Sequence, residues 1–244
     1  MAPPLDQINL ADVAGGTGGF VINGRDEFDQ FGRSVASAGD VNGDGFADLI
    51  IGAHRANGEA GESYVVVGKS GGWAAEIDLE AFAGGTGGFV INGRDQFDRS
   101  GYSVASAGDV NGDGFADLII GAMGANGAAG ESYVVFGKAA SDWGAEINLA
   151  DIAGGTGGFV INGRDPGDSS GWSVASAGDI NGDGFADLII GAIGGDGASG
   201  SSSDNRGESY VVFGKAGGWA AAIDLEAIAG GTGGFVLYGL IEGD

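Results

Sequence analysis

The chain has no cysteine, which excludes disulfides, thiolate-bound zinc and thiol nucleophiles together. It has one histidine, His54, with no repeated partner, so it reads as a solvated loop side chain rather than a general base. No G-x-S-x-G nucleophile motif occurs, and no catalytic residue is expected. Basic side chains are scarce, 10 against 34 acidic ones, for a net charge of -24. Such a chain repels phosphate backbones and anionic lipid, so nucleic acid is excluded as a partner. No window is apolar for long enough to span a bilayer, and membrane insertion is not expected. The opening Met1-Ala-Pro-Pro-Leu-Asp-Gln shows neither the basic nor the apolar region of a signal peptide. Only three prolines occur, which argues against a loose linker, and a hydrophobic content of 43% is ample for a core.

Glycine is abundant, with 55 residues, yet without a one-in-three register, so it marks turns. Ile8, Ile77, Ile147 and Ile223 open four copies of I-[DN]-L-x-x-[VFI]-A-G-G-T-G-G-F-V, a self-similarity that covers almost the whole chain. Each period holds four short stretches of strand formers, in the first copy Ser34–Ala38 (A), Asp48–Ile51 (B), Ser63–Val67 (C) and Phe89–Asn92 (D). A helical turn is predicted near Asp78–Phe82, with Asp78 or Asn148 as N-cap. Strand A is made of small residues and suits a crowded innermost position, whereas B is apolar on both faces and central. The fold class is therefore all-β, built of four-stranded antiparallel β-propeller blades. A calcium β-roll is rejected, because Gly84-Gly85-Thr86-Gly87-Gly88 lacks the required aspartate. The division is 1–30 with an extra D strand (Phe20–Asn23), then blades at 31–94, 95–164 and 165–244. Three blades make an incomplete ring, since propellers close with about four to eight. Either the chain is part of a longer propeller, or it is a homo-oligomer, most simply a dimer, with the amino-terminal strand free to pair with another chain.

The A–B connection reads D-x-N-x-D-G-x-x-D three times, as Asp40 to Asp48, Asp109 to Asp117 and Asp179 to Asp187. Oxygens at positions 1, 3, 5 and 9 converge when the chain coils tightly, and Gly at position 6 permits the turn. Oxygen-only donors select a hard cation, and calcium takes six to eight at about 2.3 to 2.6 Å. The expected ligands are Asp40, Asn42, Asp44, Asp48 and the carbonyl of Phe46. The second site takes Asp109, Asn111, Asp113, Phe115 and Asp117, and the third Asp179, Asn181, Asp183, Phe185 and Asp187. The loops are not EF-hands, because position 12 is Ile51, Ile120 or Ile190 rather than glutamate.

Phe31-Gly32, the calcium loop and Gly52-Ala53 resemble the FG-GAP repeat of integrin alpha-subunit propellers and their bacterial relatives, over roughly residues 20–239. The chain departs from that pattern at Ser100-Gly101 and Ser170-Gly171, and at His54, Met123 and Ile193 where the family has proline. The resemblance implies a calcium-binding propeller segment of an extracellular or cell-surface adhesion protein. Up-and-down topology places the A–B loops at one end and the D–A and B–C connections at the other. The D–A connections differ (Glu27–Phe31, Gln96–Ser100, Pro166–Ser170), and the third B–C connection is longer, through Gly195 to Arg206. A protein or glycan ligand is therefore expected on the D–A/B–C face. Trp73, Trp143 and Trp219, just after Lys69, Lys138 and Lys215, allow a carbohydrate-binding propeller as an alternative, although packing over the C–D connection is the preferred reading. An accessory propeller of a secreted hydrolase is a further alternative. Asn23-Gly24-Arg25-Asp26, with copies at Asn92 and Asn162, reads as a structural turn rather than an adhesion motif.

Overall fold

The computed structural model describes residues 9–83, 85–197 and 205–239. The opening segment including Ile8, Gly84 of the rejected roll motif and much of the Gly195 to Arg206 insertion lie outside the described residues, as do residues 240–244. After Val21–Ile22 (β1), the first repeat contributes Ser34–Gly39 (β2), Asp48–Ala53 (β3), Glu62–Val66 (β4), Glu76–Ile77 (β5) and Gly88–Asn92 (β6). The second contributes Ser100–Gly108 (β7), Asp117–Ala122 (β8), Glu131–Val135 (β9), Glu146–Asn148 (β10) and Gly158–Asn162 (β11). The third contributes Ser170–Gly178 (β12), Asp187–Ala192 (β13), Glu208–Val212 (β14), Ala222–Asp224 (β15) and Gly234–Tyr238 (β16).

The strands β2-β3-β4-β6 form an antiparallel meander, and β7-β8-β9-β11 and β12-β13-β14-β16 repeat it. The A-to-D order anticipated from strand-former patterning is thus present in every blade. The D-L-I-I-G-A strands lie second in each blade, and Leu118, Ile119 and Ile120 of β8 are fully buried, as expected of a strand packed on both faces. The small residues of the first strands let neighbouring blades approach. Ser34 Oγ accepts the Val104 N–H at 3.0 Å, and Ser103 Oγ accepts that of Val174 at 3.1 Å. A Cβ on Gly52 would run into the carbonyl of Gly101, which itself sits at φ +78°. The same holds for Gly121 against Gly171, so glycine is required on both sides of this inter-blade contact.

A fifth strand extends each of the first two blades. β10 pairs parallel with β6 (Ile147 opposite Ile91), and β15 with β11 (Ile223 opposite Ile161). Each blade therefore hydrogen-bonds to the last strand of the blade before it. The amino-terminal strand obeys the same rule, with β1 pairing parallel with β5 and Ile22 opposite Ile77. This corrects the expectation that β1 is free. It fills the slot on blade 1 that a preceding blade's last strand would take.

The predicted helical turn forms at Glu80–Ala83, with Asp78 Oδ1 accepting the Glu80 N–H at 2.9 Å. Asn148 precedes the corresponding helix Leu149–Ala153 without a side-chain cap. Its Oδ1 instead accepts from Asn92 Nδ2 of the previous blade at 3.4 Å.

The two end faces of the array are open. Val35 is 66% exposed, whereas its counterparts Val104 and Val174 are buried. Leu49 and Phe46 on blade 1 are exposed too, as are Ile180 and Ile193 on blade 3, while Val41 and Val110, equivalent to Ile180, are fully buried.

Candidate metal centres and a variable recognition face

Each A–B loop is folded around its first aspartate. Asp40 Oδ1 accepts the N–H groups of Gly43 (2.7 Å) and Asp44 (3.1 Å), and Oδ2 that of Gly45 (2.9 Å). Asn42 Oδ1 accepts the Asp44 N–H at 2.9 Å, and Asn42 Nδ2 donates to Asp44 Oδ2 at 3.0 Å. The loops at Asp109 and Asp179 repeat these contacts. Positions 1, 3 and 5 are therefore brought together within one turn.

Position 9 lies behind them. Asp48 is fully buried, and its two oxygens accept from Val41 (3.0 Å) and from Gly68, just beyond β4 (2.7 Å). Asp117 does the same with Val110 and Gly137, and Asp187 with Ile180 and Gly214. Burial raises the Asp48 carboxyl. Burial, with the Asp113 and Asp109 charges adding to it, pushes Asp117 up to about 7. Among the described residues no three acidic, histidine or cysteine side chains converge as a ready metal cage. The donors themselves fit a hard cation: carboxylate and amide oxygens in one turn, uncompensated negative charge and one rigidly held carboxylate behind them. If calcium is held here, Asp40, Asn42 and Asp44 and their equivalents are the residues gathered in one turn for it, with Asp48, Asp117 and Asp187, which fix the loop against the third strand, behind them.

The loops also join blades. Asp40 and Val41 carbonyls accept the N–H groups of Ala116 (3.1 Å) and Lys138 (3.0 Å), and those of Asp109 and Val110 accept from Ala186 and Lys215, both at 3.0 Å. A Cβ on Gly43 would meet Phe115 Cε1 at 2.5 Å, whereas the equivalent Gly182 has nothing within 4 Å.

At the opposite end, Glu62, Glu131 and Glu208 are buried, and each accepts the hydroxyl of the tyrosine two residues on (Tyr64, Tyr133, Tyr210). Arg25, Arg94 and Arg164 reach these glutamates at 3.4, 3.2 and 3.6 Å. The Asn-Gly-Arg-Asp copies are thus built into the blades, as a structural turn requires. Asp98 and Asp168, in the second and third D–A connections, are buried, and that burial pushes both up to about 6. The recurrent Glu-Ser-Tyr triplet at the start of the third strand was the available signal for this buried network.

His54 is buried rather than solvated, which corrects the sequence expectation. Its ring packs edge-on against Tyr102 with centroids 5.1 Å apart, and burial followed by the charges of Arg55, Arg33 and Arg99 pushes it down to about 4. Tyr102 packs on Trp172 at 4.8 Å. Arg33, Tyr102 and Trp172 occupy one repeat position, and in β7 and β12 that position falls inside an irregularity of the strand register. Bulges of this kind re-aim side chains.

The recurrent tryptophans are covered on both faces. Trp73, Trp143 and Trp219 stack on Phe20, Phe89 and Phe159 of the preceding last strand at 4.7, 4.3 and 4.3 Å. Lys69, Lys138 and Lys215 lie over their other faces at 4.7 to 4.9 Å. The rings fasten blade to blade, which removes the open face a sugar would need.

The FG-GAP repeat family model matches residues 31–66, 100–135 and 170–212. The chain is 33% identical to integrin alpha-V of Gallus gallus over 167 residues, covering 67% of this chain and 15% of that protein. It is 31% identical to integrin alpha-5 of Xenopus laevis over 175 residues, 71% of this chain and 16% of that one. It is 30% identical to the phosphatidylinositol-glycan-specific phospholipase D of Dictyostelium discoideum over 197 residues, 72% and 19% respectively. The chain thus spans less than a fifth of the length of these relatives.

Proposed function

The chain belongs to the integrin-like FG-GAP repeat family, and on that premise we propose that it is a calcium-stabilised propeller segment of an extracellular or cell-surface adhesion protein. The observation that carries this is the contrast between its ends. One carries three near-identical oxygen-rich loops that also join the blades; the other carries a different side chain in each repeat at equivalent positions, Arg33, Tyr102 and Trp172. Calcium is then architecture, bound at Asp40, Asn42, Asp44, Asp48 and the Phe46 carbonyl and at the equivalent residues of the other two loops. The D–A/B–C face is the recognition surface for a protein ligand. An outside location supplies the calcium, and the strong negative charge tolerates it there.

The chain acts as a binding module rather than an enzyme. The likeness to a phospholipase D favours, as a second reading, an accessory propeller of a secreted hydrolase. The open blade faces support association with a further blade, and two copies meeting at both ends would close a ring of about six blades.

Calcium titration calorimetry tests the central claim. Three ions per chain are expected, falling by one in Asp113→Ala and unchanged in Asp98→Ala. No calcium uptake, or equal effects of the two substitutions, overturns it.

A further inference from the structure

The ten basic residues of this chain are not evenly spread. Three arginines bear on His54: Arg55 beside it in sequence, Arg33 at the entry to β2, and Arg99 from the next blade. Arg33 lies over the Tyr102 ring, 4.6 Å from its centroid, and donates to the Tyr102 hydroxyl at 2.9 Å. Arg99 is paired with Glu59 at 2.8 Å, whereas Arg33 rests on Tyr102 and is itself exposed. Arg55 is exposed as well. His54 is buried with Nδ1 lacking a partner, so the ring is neutral and leaves the positive charge to the arginines. A strongly acidic protein has here concentrated guanidinium groups beside two aromatic rings, at the variable end and next to the innermost strands.

We infer that this cluster, Arg33, His54, Arg55, Arg99, Tyr102 and Trp172, binds a carboxylate of a short acidic peptide segment. This rests on the reading of the D–A/B–C face as the recognition surface, and it names the chemistry recognised there. The planar guanidinium fork matches a carboxylate with two parallel hydrogen bonds. The rings supply apolar contact to the stem that carries the acid. The field of the whole chain repels extended polyanions, so the attraction is short-ranged and favours one or two carboxylates over a sulfated polysaccharide or a nucleic acid.

The test is fluorescence anisotropy at physiological salt with excess calcium, using a tetramethylrhodamine-labelled peptide Gly-Ser-Glu-Ser-Glu-Gly. Its glutamine counterpart and a heparin hexasaccharide serve as comparisons. The glutamate peptide is expected to bind saturably and the other two not to. The double variant Arg33→Gln, Arg55→Gln, whose side chains are exposed and outside the core, is expected to weaken binding at least tenfold at an unchanged circular dichroism spectrum. Glu59→Gln, which frees Arg99, is expected to tighten it. Equal binding of both peptides, absence of binding, or wild-type affinity in the double variant overturns the proposal, and preferential binding of the heparin fragment overturns it in favour of an anionic glycan. The wider reading of the face is judged separately: a ligand of other chemistry lost in Trp172→Ala would keep that reading while this assignment falls.

Discussion

Removing residues 1–22 should make the chain associate more tightly, because β1 occupies the slot that the last strand of a neighbouring copy needs. In each internal junction a last strand pairs parallel with the short strand of the next blade and stacks its phenylalanine on the next tryptophan. β1 makes those contacts on blade 1 itself, through Val21 N–H to the Ala75 carbonyl at 2.8 Å and Phe20 on Trp73. β16, with Phe235 exposed, has no such parallel partner among the described residues. For β16 of a second copy to dock, β1 must leave. The loss is about 1 kcal/mol for the backbone hydrogen bond, about 1 for the ring stack and about 1 for the half-buried Val21 and Ile22. Truncation removes that competition of about 3 kcal/mol, roughly a hundredfold in the association constant. Cutting after Ile22 keeps Arg25, and so leaves the buried Glu62 paired. Sedimentation velocity over a concentration series, with calcium present, reads the effect. A truncated chain that associates no more tightly than the full chain, or less tightly, refutes the strand-slot argument.

Chelation should lower the melting temperature: a site at ten times its dissociation constant adds about 1.4 kcal/mol, and three add about 4. An unchanged scanning-calorimetry melt in excess chelator would contradict this. Trp143→Ala should destabilise by about 3 kcal/mol, because it empties the space between Phe89 and Lys138; urea denaturation showing less than about 1 kcal/mol would mean the ring is not a fastener. Asp98 and Asp168 have folded values of about 6, above the ordinary carboxylate value, so the folded chain takes up protons more readily than the unfolded one. Their contribution to stability therefore rises as pH falls from about 7 to about 4, by on the order of 1 kcal/mol each. The double variant Asp98→Asn, Asp168→Asn should melt higher than the parent at pH 7 and lose that advantage near pH 4; a variant that melts lower at pH 7 reverses the sign and refutes the assignment.

The repeat, the order of the strands and the three loops could be read from the chain because each is a local pattern: Asp-Leu-Ile-Ile alternates with glycine-bounded turns, and the aspartate spacing lies within one coil. What could not be read depends on a neighbouring blade. Glu76–Ile77 is too short to signal a strand, and it becomes one only where β1 lies beside it. His54 looks like a loop histidine until Tyr102 of the next blade covers it. Asp98 is indistinguishable in sequence from Asp95, yet one is buried and the other exposed. Position 9 of each loop was read as a ligand on spacing alone, while its burial and its two amide partners show a second task, holding the loop to the end of the third strand.

Three connections recur at each junction: the parallel strand, the stacked tryptophan and the A–B loop carbonyls reaching into the next blade. Stability in such an array is the sum of each blade and its junctions. Blade 2 has a full junction on both sides, and Val41 and Val110, which lie in the two junctions, are fully buried. Blade 3 has its junction to blade 2 alone, and a Cβ on Gly178 or Gly182 of its loop would meet nothing within 4 Å, whereas one on Gly39, Gly43, Gly108 or Gly112 would run into the next blade. Ordering of that last loop therefore rests on Asp179, Asn181, Asp183 and the buried Asp187 and on any ion they hold, whereas the first two loops are also clamped by the neighbouring blade. If the loops hold calcium, the loop that depends on it most for its shape lies on the face that is open to another blade, so metal binding and assembly would draw on one face of the molecule.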